Sequence, residues 1–77
     1  MWYKTRNLTL AAYLRHEGMR LDSTERTGSQ VTFIFQDPAL LAERYEDAFN
    51  DGDVTVNLKK FMTELNGLRD MIFKEGK

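Results

Sequence analysis

Gln30-Val31-Thr32-Phe33-Ile34-Phe35-Gln36, running directly into Asp37-Pro38, is the stretch whose reading decides the fold. Its interior positions are all β-branched or aromatic, which suits a strand. A side-chain period of two places Val31, Phe33 and Phe35 on one face and Ile34 on the other, so the strand has a core side and a far side. Asp37-Pro38 then reads as a helix start. An aspartate N-cap is followed by proline at the first helical position, where its missing N–H leaves nothing unsatisfied.

Upstream, Met19-Arg20-Leu21-Asp22 alternates apolar and polar residues, and the stretch Ser23–Ser29 is rich in turn formers. Together with 30–36 this predicts a β-hairpin in which Met19 and Leu21 share the core face with Val31, Phe33 and Phe35. Further back, Trp2-Tyr3-Lys4-Thr5 is β-favouring, and Asn7 is a good N-cap for a helix from Leu8 to about Glu17, with Gly18 as its stop. At 100° per residue, Leu8, Leu10, Ala11, Ala12 and Leu14 form the apolar side of that helix. Thr9, Tyr13, His16 and Glu17 form the polar side, and Arg15 is the exception on the apolar one.

Downstream, the helix opened by Asp37 is expected to reach about Asn50, gathering Leu41, Ala42, Tyr45, Ala48 and Phe49 on one side with Glu43, Glu46 and Asp47 in water. Gly52 ends it. Val54-Thr55-Val56 reads as a short strand, and Asn57 caps a third helix from Leu58 to about Lys74. That helix carries the stripe Leu58, Phe61, Leu65, Leu68, Ile72 and the i,i+4 pairs Lys60–Glu64 and Asp70–Lys74. The order β-α-β-β-α-(β)-α implies an α+β fold: a small, mostly antiparallel sheet of three or four strands with three helices packed on one face. With 77 residues, the chain is expected to form a single domain, 1–77.

The chain has no cysteine, which removes disulfides and thiolate metal sites from consideration and fits a reducing, cytoplasmic setting. Lys4 and Arg6 precede the apolar run Leu8–Leu14, but that run is too short for a membrane span and no small-residue cleavage site follows. No membrane association is expected. The net charge of −1 is unevenly spread: residues 1–30 carry +2, residues 31–53 carry −5 and residues 54–77 carry +2. This is not the broad basic footprint of an autonomous nucleic-acid binder, although a local patch is compatible with it.

The run Tyr3-Lys4-Thr5, Leu8, Leu10-Ala11-Ala12-Tyr13-Leu14, Gly18 and Phe33-Ile34-Phe35, with Leu68-Arg69 near the end, resembles a family of short bacterial and phage domains of unknown function. In that family a strand, an AAYL-like helix, a glycine and an F-x-F-like strand recur. The resemblance implies a fold and a mobile-element or prophage setting. It carries over no catalytic or binding residue.

Each candidate for chemistry meets an obstacle. His16 is the only histidine, and with carboxylates alone as partners it makes a poor metal ligand; a surface histidine is expected. Asp47, Asn50, Asp51, Gly52 and Asp53 surround a glycine, but a calcium loop in that register would need oxygen ligands where Phe49 and Leu58 stand. Glu43, Glu46 and Asp47 could act as paired carboxylates only inside a cleft that separates their pKa values. Ser23 and Ser29 lack a nucleophile-elbow context, and the glycines are scattered singly rather than grouped in a phosphate loop. The expectation is therefore a protein that is no enzyme and needs no cofactor or metal.

Two surfaces remain as binding candidates. Apolar residues expected on the wet side, namely Trp2, Ile34, Leu40, Met62, Met71 and Phe73, would form a patch for a protein partner or a second copy of the chain. Tyr3, Lys4 and Arg6, with Arg15, Arg20 and Arg26, would offer aromatic and basic contacts to nucleic acid, with Trp2 as a stacking platform. The first reading is a noncatalytic protein–protein interaction or regulatory module of phage or mobile-element origin; the alternative is a small nucleic-acid-binding protein.

Overall fold

Three strands and three helices follow one another as β1 (Trp2–Thr5), α1 (Leu8–His16), β2 (Arg20–Thr27), β3 (Gln30–Gln36), α2 (Ala42–Asp51) and α3 (Leu58–Glu75) in a computed structural model. It describes residues 1–75, without the side chains of Lys74 and Glu75. The sheet order is β1-β3-β2, and both outer strands run antiparallel to β3. β1 and β2 are therefore parallel to each other, α1 crosses from one to the other, and β3 fills the gap between them, a split β-α-β unit.

The stretch 30–36 is thus the central strand, and its core side is as the period of two requires. Phe33 and Phe35 are fully buried together with Leu14 of α1 and Leu68 of α3. Met19, Leu21, Tyr45, Phe49, Phe61, Leu65 and Ile72 pack around them. α1 is the middle helix and touches both α2 and α3. Tyr3 of β1 bonds to Glu46 of α2, and Arg26 of β2 donates to the Ile72 carbonyl of α3 at 3.1 Å, so α2 lies towards the β1 edge and α3 towards the β2 edge. The shortest dimension is 19 Å, which is one sheet and one helix layer at about 10 Å each. None of the described helices covers the far face of the sheet.

The caps explain the element ends. Asn57 Oδ1 accepts from the Lys60 amide at 2.9 Å and Asn7 Oδ1 from the Leu10 amide at 3.1 Å, the N3 bond of a helix start. α1 ends in a Schellman arrangement, with the Met19 amide on the Leu14 carbonyl, the Gly18 amide on that of Arg15, and Gly18 at φ 96. α2 closes in the same way around Gly52, whose φ is 74.

Several expectations are corrected. The hairpin turn is only Gly28-Ser29, and β2 runs on to Thr27 with an irregularity at Asp22 between Leu21 and Ser23. The Ser- and Thr-rich stretch reads as turn by composition, yet an edge strand with one wet face accepts those residues. Helix two does not begin at Pro38. The Asp37 amide still bonds to the Met1 carbonyl, extending the β1–β3 ladder, and the Leu40 amide closes a turn on the Asp37 carbonyl before α2 begins at Ala42. Val54-Thr55-Val56 is no strand: Val54 and Val56 turn inward against the core, but the backbone there has no ladder partner. The sheet therefore has three strands.

Tyr13, expected on the polar side of α1, is 5% exposed because α2 lies over it and brings the Tyr45 and Phe49 rings within 6.1 and 5.8 Å. Leu58, expected in the buried stripe of α3, is exposed at the first turn, beyond the end of the core. Glu64 pairs with Arg15 at 3.1 Å rather than with Lys60, which also accounts for an arginine on the apolar side of α1. The side chain of Lys74, and with it the Asp70–Lys74 pair, lies outside the described residues.

Candidate interaction surface

The far sheet face was the expected seat of an apolar patch, and its residues are now placed. From β1 it carries Trp2 and Lys4, from β3 Thr32, Ile34 and Gln36, and from β2 Arg20, Ser23 and Glu25, as the register dictates. Asp22 joins them at the bulge, where its Oδ1 accepts from Gln36 Nε2 at 3.4 Å. Ile34 is not exposed there: it is 8% accessible, because a central-strand residue is flanked on both sides, here by Lys4 and Ser23. Met71 is half-buried against the core. Trp2, Leu40, Met62 and Phe73 do stand in solvent, so the expected set of six is reduced to four and these are not all together.

Trp2 and Leu40 border a common site. They line one cleft of about 270 Å³ with Met1, Tyr3, Asp37 and Glu43. On the other side of the 37–41 loop, a second cleft of about 240 Å³ is lined by Met19, Arg20, Gln36, Pro38, Ala39 and Leu41, and Asp37 borders both. This end of the molecule is built by three ladder ends and one loop. Asp37 is buried, and its Oδ1 accepts from the Leu41 and Ala42 amides at 2.8 and 3.3 Å, which pins the loop to the start of α2. Below Trp2, the Tyr3 side chain points to the helix layer, where its hydroxyl donates to the Glu46 carboxylate. Burial first, then that hydrogen bond and the charges of Glu46, Glu43 and Asp37, push the Tyr3 hydroxyl well above its ordinary pKa.

Leu40 is the singular residue of the loop. Its φ is 55, the left-handed region, and no other non-glycine residue among those described has a positive φ. A side chain there costs about 1 kcal/mol or more relative to glycine. Nothing in the core offsets that cost, since Leu40 is 57% exposed.

The basic residues expected to gather at the N-terminal end are dispersed. Arg15 is paired with Glu64, Arg26 is bonded to α3, and Tyr3 faces the helices. Lys4 and Arg6 do line a cleft of about 340 Å³ with Thr5, Thr27, Thr32 and Glu25, while Arg20 lies at the opposite end of the sheet face. His16 is no surface histidine. Its side chain is 11% exposed, it stacks on Tyr13 with 12° between the rings, and its Nε2 accepts from the Asn57 amide at 3.1 Å. Nδ1 therefore carries the proton and donates to Glu17 at 2.8 Å. Among the described residues no group of three or more histidine, aspartate or glutamate side chains converges as metal ligands would. None of the described helices is long and apolar enough to cross a membrane.

A family model described as a domain of unknown function (DUF5659) matches residues 1–74, all but the end of α3. The chain belongs to that family. The DUF5659 match runs from β1 into α3. No curated protein and no solved structure matches the chain.

Sequence reasoning missed Met1, Glu43 and the 37–41 loop as parts of this surface. Asp37-Pro38 is so strong a helix signal that it hid the loop. Leu40, an apolar residue beside rather than within the helix-two stripe, was the one signal that pointed there.

Proposed function

We propose that this DUF5659 chain is a noncatalytic interaction module that acts by protein–protein contact, in the cytoplasm and in a bacterial, phage or mobile-element setting. The observation that carries the reading is that Met1, Trp2 and Leu40, 79%, 60% and 57% exposed, all line one cleft. Scattered apolar residues on a surface need no explanation, whereas adjoining ones in a concave site rimmed by polar groups mark a contact surface. The test is recovery of bound proteins by the wild-type chain and by a Trp2→Ala/Leu40→Gly variant with an unchanged circular dichroism spectrum. A partner held by the first and lost by the second is the expected result; equal recovery by both, or no partner for either, counts against the reading.

A second reading, nucleic-acid binding, is favoured by one observation: Lys4 and Arg6 share a cleft on the same sheet face as Trp2. Glu25 in that cleft and Asp22 nearby weigh against it. Trp2 is the only tryptophan, so quenching of its emission by oligonucleotides at low salt, reversed by added salt, is what this reading predicts.

A further inference from the structure

The cleft between Trp2 and Leu40 has a polarity that describes its occupant. Resting on the protein-contact reading above, we propose that it docks a segment of a partner protein that inserts one large apolar side chain and carries lysine or arginine beside it.

The apolar half of the argument is the loop. Leu40 holds a strained backbone at φ 55 while its side chain stands in solvent, so neither local geometry nor the core accounts for a leucine there. Residues kept in sparsely populated conformations cluster where a side chain must be presented. Met1 and Trp2 line the same cleft, and Tyr3 forms part of it with its hydroxyl already engaged by Glu46. The cleft, about 270 Å³, is larger than a cavity of about 150 Å³ that accepts benzene, so it has room for one leucyl or aromatic side chain.

The charged half is the rim. Both ionised side chains on the lining are carboxylates, Asp37 and Glu43. Asp37 is committed to the Leu41 and Ala42 amides, which leaves Glu43 as the carboxylate placed to meet a cation. Behind it α2 continues with Glu46, Asp47 and Asp51, against Arg44 alone, within the segment 31–53 that carries −5. Arg20, the basic side chain of this end of the sheet, lies at the second cleft, and Lys4 stands further along the far sheet face. A basic segment is thus drawn across α2 and away from the sheet, and an acidic segment is repelled.

The full-length chain, immobilised and panned with a random dodecapeptide library, tests this. Enriched peptides are expected to share a large apolar residue flanked by lysine or arginine and to shift the emission of Trp2 saturably. Leu40→Gly, which relieves the strained φ, is expected to keep or raise the melting temperature while weakening binding at least tenfold. Glu43→Lys is expected to weaken it comparably. Enriched peptides that are acidic or uncharged, or that bind Leu40→Gly as well as wild type, overturn this assignment and leave the broader protein-contact reading in place. A Trp2 shift that appears with protein concentration alone and vanishes in Leu40→Gly makes a second copy the occupant, and overturns it too. No enrichment, with a monomer at every concentration by light scattering, overturns both readings.

Discussion

Two side chains hold layers together through single polar bonds, and each gives a test. The Tyr3 hydroxyl, donating to Glu46, ties β1 to α2. Its pKa is raised in the fold, first by burial and then by the neighbouring carboxylates, so the folded chain keeps the proton when the unfolded chain, titrating near the usual value of 10.0, loses it. The unfolded state then binds fewer protons, and stability falls as pH rises through and above that value. Below it this contribution is fully present. Denaturant unfolding between pH 8 and 11 is expected to show a loss on the alkaline side that is smaller in Tyr3→Phe, with Tyr13, also raised first by burial, accounting for part of what remains. His16 works from its other side: only an unprotonated Nε2 can accept the Asn57 amide, which fastens the first turn of α3 to the end of α1. His16→Phe keeps the stack on Tyr13 but removes the acceptor, and is expected to lower unfolding stability by about 0.5–1.5 kcal/mol.

At the scale of elements, side chains that accept amides where helices start help set those starts, and their burial decides how much each contributes. Asn57 caps α3, whereas Asp37 anchors the loop ahead of Leu41, the N-cap of α2. Asn57 is exposed and satisfies one amide, whereas Asp37 is buried and satisfies two while also being held to the Met1 carbonyl through its own amide. Asp37→Ala is therefore expected to cost about 2 kcal/mol and Asn57→Ala about 1 kcal/mol, measured as shifts in denaturant midpoint at unchanged slope. The same contrast shows how far these elements could be read from the residues alone. α1 and α3 were legible because a capping asparagine, a helical apolar period and, for α1, a glycine stop all agreed. β3 was legible because its period of two was unbroken. The start of α2 was not, since Asp37-Pro38 suits both a helix cap and a turn, and only the bond from the Asp37 amide to β1, a contact distant in sequence, selects the turn. Likewise the alternation of Val54 and Val56 records which side chains go inward but not whether the backbone finds a partner strand. Of the candidate surface, Trp2 and Leu40 could be suspected as surplus apolar residues. Their place at one cleft, and the left-handed backbone under Leu40, depend on how the ends of β1 and β3 come together.

For the molecule as a whole, the unequal covering of the sheet is the feature with energetic consequences. A 77-residue chain without disulfides has little stability to spare, and here all three helices lie on one face. Phe33 and Ile34 are neighbours on β3 and both are buried, yet Phe33 lies under the helix layer among Leu14, Phe35 and Leu68, while Ile34 is sheltered only by side chains of the sheet itself. Deleting Phe33 leaves a cavity that close-packed neighbours cannot fill, at about 3–5 kcal/mol. Deleting the Ile34 side chain exposes a shallow surface that water can reach and that the stem of Lys4 can close, so Ile34→Ala is expected to cost about 1–2 kcal/mol. Both are read from chemical unfolding of the isolated chain, and protein concentration separates the explanations. If a second copy covered the far face, Ile34 would be a core residue of that assembly: its deletion would approach the cost of Phe33→Ala, and the unfolding midpoint would rise with protein concentration. A midpoint that does not move across a hundredfold range of concentration, with Ile34→Ala the milder of the two variants, is the outcome expected of a fold that closes its core on one side alone, with its proposed contacts at the Trp2 and Leu40 end.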